Sequence, residues 1–355
     1  MHYISSRIYC MNNRIWMASD KRQRSHAFDF LCGICIIRMI MLHILECTQL
    51  DKSQLWEYAM HWSFYFMCFF FFKAGFFNRS VRGNSIKYCN DRFKRLMIPY
   101  FVWGWIGVIV YFTFCLFVLP PNNTMVKDLH WEHLWQTSAF YGNNPVWFLF
   151  SFFTTYICVH YIEKMKHLHW TVCVFPYISW YLSSIDNPLW LNLNNVFFGI
   201  FVFYLGKFWH KVLVSVNKCT FILISILMVG FFCYLNTTND VYYQMSSNMW
   251  QGNFYIITLC IVAALCGISG LLLSICKVRI PIINYIGEHS MVFFVSHFVI
   301  ITFYKMLKSS YVRTLKGHED DLIILTILVF VSCFFIVPYV ENVPWLSGRF
   351  KNKHN

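Results

Sequence analysis

The sequence predicts an all-α fold, a polytopic membrane bundle of about ten transmembrane helices with both termini cytoplasmic. Three observations carry this. Of 355 residues, 58% are hydrophobic and only 13% charged, whereas a soluble domain is nearer half apolar and a quarter charged. Apolar runs long enough for a bilayer recur along the chain, parted by short polar segments. The basic residues are also unevenly shared. With the N-terminus inside, only Lys52, Lys127, Lys305, Lys308, Arg313 and Lys316 fall in outer segments, Arg38 and Lys73 fall well within spans, and Lys207, at the inner end of its span, counts with the inner turn. The rest of the 29 Lys and Arg lie inside, which the positive-inside rule reads as orientation.

Residues 1–26 read as a basic cytoplasmic tail carrying Arg7, Arg14, Lys21, Arg22 and Arg24. One integral membrane domain, 27–340, follows, with spans predicted at 27–46, 60–77, 97–119, 146–162, 170–184, 195–209, 219–235, 252–276, 281–304 and 321–340. A second basic tail, 341–355, is expected to close the chain, with no appended hydrolase-like domain. Because residues 1–26 are polar and basic, no cleavable signal peptide is expected. The net charge of +13 is spread through short loops between apolar runs, so no nucleic-acid face is expected. Most of the fifteen cysteines lie inside apolar runs and read as small buried hydrophobes. No metal site is expected, because there is no H-E-x-x-H and the histidines are dispersed. A nucleotide-driven pump is not indicated either, since no Walker loop or G-x-G-x-x-G occurs.

Four places hold polar residues where lipid exposure would be costly. The first span, AFDFLCGICIIRMIMLHILE, carries Asp29, Arg38, His43 and Glu46, and a charge at a helix centre costs about 3 kcal/mol on insertion scales. His43 and Glu46, three apart, share a helix face and suit a general base with its orienting carboxylate. The alternative is a histidine that only packs and hydrogen-bonds. Arg38, about 140° round the helix from His43, is expected to point elsewhere. Arg92 and Arg95 suit bidentate phosphate binding, or are ordinary members of a basic cytoplasmic loop. Trp147, in the run Trp147-Phe148-Leu149, reads as an interfacial aromatic belt or a cavity wall. Ser290 and His297, two turns apart on one face, read as chemistry or as a helix-packing contact.

Together these segments resemble the membrane-bound acyltransferase-3 family, the O-acyltransferases of bacterial surface polysaccharides. Asp29, Leu31, Gly33 and His43 are similar to its D-x-L-(R/K)-G…H signature, and FFFFKAGFF (69–77) to its F-F-x-x-S-G-F segment. Arg92 and Arg95, followed by Leu96 and Pro99, match R-x-x-R before L-x-x-P. Trp147-Phe148-Leu149 matches W-F-L, and Gly287, Ser290 and His297 match G-x-x-S-x6-H. The chain departs at Cys32, where the family has Arg or Lys, and at Ala74, where it has Ser beside what is here Lys73.

The resemblance implies transfer of an acyl group, usually acetyl, from acyl-CoA to a sugar hydroxyl of a surface or exported glycan. Acetyl-CoA would be a co-substrate, with no bound cofactor. The partners would be acyl-CoA, a glycan or lipid-linked saccharide acceptor and the lipid bilayer, in a bacterial cytoplasmic membrane. His43, Glu46 and Asp29 would carry the catalytic roles, Arg92 and Arg95 would hold the donor, and Trp147, Ser290 and His297 would line the substrate cavity. Direct transfer and an acyl-histidine relay both stand. So do two other classes, a transporter or flippase for a lipid-linked sugar or small anion, and an enzyme-dead binding relative. The transporter reading predicts inverted repeats or paired broken helices, and neither is clear in the sequence.

Overall fold

A computed structural model describes residues 25–78, 84–117, 131–185, 189–274, 279–311 and 319–350. Most of the N-terminal tail, Arg79, Arg82 and Lys127 lie outside the described residues. In chain order the helices begin with α1 (His26–Thr48), α2 (Gln54–Ser63), α3 (Phe66–Phe76) and α4 (Ser85–Arg92). A π-turn at Phe93–Met97 joins α4 to α5 (Ile98–Phe117), followed by α6 (Trp131–Thr137) and α7 (Trp147–Lys164). A 3-10 stretch, Lys166–Val174, leads into α8 (Phe175–Ser183), then α9 (Asn194–Ser215) and α10 (Lys218–Thr238). An antiparallel hairpin of β1 (Tyr242–Gln244) and β2 (Met249–Gln251) precedes α11 (Phe254–Ser274). The chain ends in α12 (Pro281–Glu288), α13 (Ser290–Tyr311), α14 (Glu319–Asn342) and the short α15 (Pro344–Ser347).

The described chain is therefore almost wholly helical, as predicted, and it is a multi-pass membrane protein. Eight helical segments among the described residues are long and apolar enough to cross a bilayer. The other two predicted spans are broken, for identifiable reasons. In 60–77 the helix stops at Ser63, whose hydroxyl bonds back to the Ala59 carbonyl and accepts from Arg38 Nε at 3.1 Å; such back-bonding bends helices. In 170–184 a 3-10 stretch gives way to α8 where Pro176 takes an early helical position, the place proline tolerates. Both still run the length of the bundle. Lys73 lies beside Asp29 near the start of α1, while His61 bonds the Asn236 carbonyl near the end of α10. Likewise Trp170 shares a groove with Lys207, while Ser179 bonds the Asn194 carbonyl at the opposite end of α9.

α1 is the axis of the molecule. It packs against α3, α11, α12, α13 and α14, and Phe28, Ile36, Ile40 and Ile44 along it are fully buried. Gly33 and Gly287 make the α1–α12 contact possible. A Cβ on Gly287 would lie 1.7 Å from the Asp29 carbonyl oxygen, and one on Gly33 2.1 Å from that of Ile283. Such close approach of backbones is how small residues join membrane helices. Gly75 and Gly206 do the same between α3 and α9. The ninth predicted span breaks at His289, between α12 and α13, where its Nδ1 lies 2.6 Å from Glu341. That break sets Ser290 at the start of α13.

The segment between α10 and α11, read from the sequence only as a polar loop, is an ordered hairpin. Ser179 Oγ donates to Asn248 Oδ1 at 2.8 Å, and Asn248 Nδ2 returns a bond to the Ser179 carbonyl at 2.7 Å. The predicted C-terminal tail also starts inside the fold. Trp103 Nε1 donates to the Leu346 carbonyl in α15 at 3.0 Å.

Candidate active site

Two cavities lie end to end along α1, and successive turns of the same elements line both. Cys32 and Ile36 of α1, Phe70 and Lys73 of α3, Phe148 of α7 and Ser290 of α13 face a cavity of about 570 Å³ toward the N-terminal end of α1. Met39 and His43, Phe66 and Met67, and Trp147 face one of about 640 Å³ toward its C-terminal end. Phe294 lines both, and its ring lies 5.3 Å from that of Phe148. The wall between the chambers is thus aromatic.

In the second cavity, His43 Nδ1 lies 3.0 Å from Glu46 Oε2. The carboxylate accepts, so Nδ1 carries the hydrogen and Nε2 is left as the basic nitrogen. The imidazole is stacked on His297 with centroids 5.5 Å apart and meets the edge of Phe298 at 5.1 Å. His297 is fully buried, and its Nδ1 donates to the Phe293 carbonyl at 3.0 Å. That bond fixes the ring which backs His43. Serine and histidine on one face of α13 thus serve different chambers: Ser290 lines the first cavity, and His297 backs His43 in the second.

Arg38 corrects the helical-wheel expectation. It lines the same cavity as His43, because its long side chain reaches round α1 into a chamber that wraps the helix. Its guanidinium lies 3.7 Å from the Phe66 ring centroid and bonds Ser63. Trp147 is buried and lines this cavity, so it is a wall rather than a lipid-facing belt residue. The sequence reading missed the far wall, made by Tyr242, Gln244 and Gln251 of the hairpin with Trp56. The signal in the sequence is faint, two three-residue runs, Y-Y-Q and M-W-Q, around a glycine-free M-S-S-N loop, short of an ordinary hairpin pattern. Burial pushes the Tyr242 hydroxyl above its ordinary range, with Arg38 opposing. Tyr242 is therefore a neutral hydrogen-bonding group at physiological pH.

The first cavity holds Arg92, whose guanidinium lies 4.0 Å from the Tyr156 ring centroid and 5.1 Å from that of Tyr88. Arg95 is exposed and absent from its lining. Residues three apart share a face in an α-helix, but the intervening π-turn widens the coil and turns Arg95 away. Asp29 does not meet His43. Fourteen residues along α1 separate them by about 21 Å, and Asp29 instead lies 3.9 Å from Lys73. Lys73 also donates to Cys32 Sγ at 3.0 Å. With Cys35 one turn on, α1 carries a C-x-x-C pair that reading the cysteines only as small buried hydrophobes passes over, and both thiols are free and buried.

The bundle thus holds a histidine–carboxylate pair in one chamber and a cation-lined chamber behind it. A family model described as an acyltransferase domain, that of the acyltransferase-3 family, matches residues 25–340. The chain belongs to this family and is a membrane acyltransferase. No curated protein and no solved structure matches it.

Proposed function

We propose that the protein moves an acetyl group from acetyl-CoA, bound in the first cavity, to a sugar hydroxyl of a surface or exported glycan bound in the second. The observation that carries this reading is the meeting of the two cavities at Phe294, with the His43–Glu46 pair on one side and Arg92 on the other. Arg92 suits the donor's phosphates, since a guanidinium binds them bidentately. The charge distribution supports a first cavity that opens to the cytoplasm, where acyl-CoA is made, and the membrane of this reading is the bacterial inner membrane. On the other side, Trp56, Trp147 and Tyr242 offer ring faces, and Gln244, Gln251 and the carboxylates of Asp51 and Asp240 offer polar groups. Such a mixture suits a polyhydroxylated ring.

In the step itself, His43 Nε2 takes the acceptor's hydroxyl proton as the oxygen attacks the thioester carbon. The C–S bond breaks, and the proton passes from His43 to the departing CoA sulfur, giving an ester and free CoA thiol. Glu46 holds the Nδ1–H and balances the imidazolium while it exists. Cys32 is unsuited as a covalent relay, because eleven residues of helix set it about 16 Å from His43.

The test is His43→Ala in cells, with surface O-acetyl ester and total glycan measured together. Loss of ester by about 10²-fold or more with the glycan unchanged is expected. Loss of the glycan itself would favour the transporter reading, and retained ester would remove His43 from the chemistry.

A further inference from the structure

Lys73 is an intramembrane cation with an unusual set of neighbours. Its ammonium has three hydrogens to donate, and the bond it makes at 3.0 Å goes to a thiol, Cys32 Sγ, which is a weak acceptor. The Asp29 carboxylate lies 3.9 Å away, close enough for Coulomb attraction but beyond hydrogen-bond length. The Lys73 side chain keeps 27% of its exposure, and it lines the first cavity together with Arg92 and Asn78. The remaining wall is largely apolar, with Phe70, Phe148 and Phe152 among its rings. Among the described residues the ammonium has one thiol in hydrogen-bonding range and one carboxylate at the edge of ion-pair range, which leaves donor capacity toward the chamber that an anionic group would use.

We propose that Lys73 of α3 and Arg92 of α4 form a two-helix clamp for the anionic end of the acyl-CoA, with Asp29 and Cys32 as the seat that aims Lys73. The inference rests on the reading of this cavity as the donor chamber. It assigns Asp29 a positioning role, and it supplies the second cation that the π-turn removes by turning Arg95 away. The clamp works by charge position, not by which helix carries the charge. Moving the ammonium across the 3.0 Å contact, from position 73 to position 32, leaves a cation in the same corner of the chamber.

The test measures the affinity of free CoA for the purified protein in lipid nanodiscs. Lys73→Gln and Arg92→Gln are each expected to weaken CoA binding by about tenfold or more, the size of one charge-assisted contact, while Arg95→Gln stays within about twofold. The double variant Cys32→Lys with Lys73→Cys is expected to bind CoA to within about threefold of the parent, which a purely structural role for Lys73 would not give. A folded Lys73→Gln protein with parental CoA affinity, beside a weakened Arg92→Gln, overturns the clamp but leaves the donor chamber standing. Parental affinity in both overturns the donor chamber itself. A double variant that elutes as a folded monodisperse protein yet stays as weak as Lys73→Gln also overturns the clamp.

Discussion

His43 uses its two ring nitrogens differently. Glu46 occupies Nδ1 at 3.0 Å, and in the proposed reaction Nε2 is the nitrogen that exchanges a proton with substrate. A hydrogen bond to a charged group is worth about 1.5–3 kcal/mol. Glu46 is half-exposed, at 50%, so solvent screening brings its contribution to the low end. Glu46→Gln is therefore expected to lower kcat by about tenfold and to leave the KM for acetyl-CoA unchanged, because the proposed donor site is the other cavity. Steady-state kinetics with acetyl-CoA varied decide this. A raised KM with unchanged kcat would make Glu46 a binding group rather than an orienting one.

At the scale of elements, the α1–α12 seam keeps His43, Cys32 and Ser290 in register. A side chain at position 287 would meet the Asp29 carbonyl oxygen, so Gly287→Val must part the two helices, and overpacking of this kind costs about 1–3 kcal/mol. A lower Tm in detergent and a loss of transferase activity are expected. Gly230→Val provides the comparison, since nothing lies within 4 Å of a Cβ there, and it is expected to behave as the parent. Equal loss in both variants would show that the seam is not special.

The same scale explains what the sequence could reveal. Hydropathy finds the eight long segments because length and apolar content are local properties, and three-residue spacing finds His43–Glu46 because both lie on one turn. The contact between Lys73 and Cys32 spans 41 positions, and nothing in the local pattern announces it. The separation of Arg92 from Arg95 depends on a π-turn, which a helical wheel of 3.6 residues per turn cannot represent. Arg38 was misplaced for a related reason: a wheel gives the direction of Cβ, while a long side chain ends where the cavity and Ser63 take it.

For the whole molecule, the proposed function separates holding the donor from using it. The first chamber carries cations and apolar walls, the second the His43–Glu46 pair and a wall of aromatic rings and amides, and Phe294 lies between them. Each chamber is assembled from α1, α3, α7 and α13, so the thioester would travel along shared helices past one aromatic side chain. The measurement that tests this separation most directly compares two variants in two assays, with CoA affinity and acetyl transfer read on the same purified samples. His43→Ala is expected to bind CoA within about twofold of the parent while transfer falls by about 10²-fold or more, and Arg92→Gln is expected to lose CoA affinity. A His43→Ala protein that no longer binds CoA, or that transfers acetyl at the parental rate, would contradict the account.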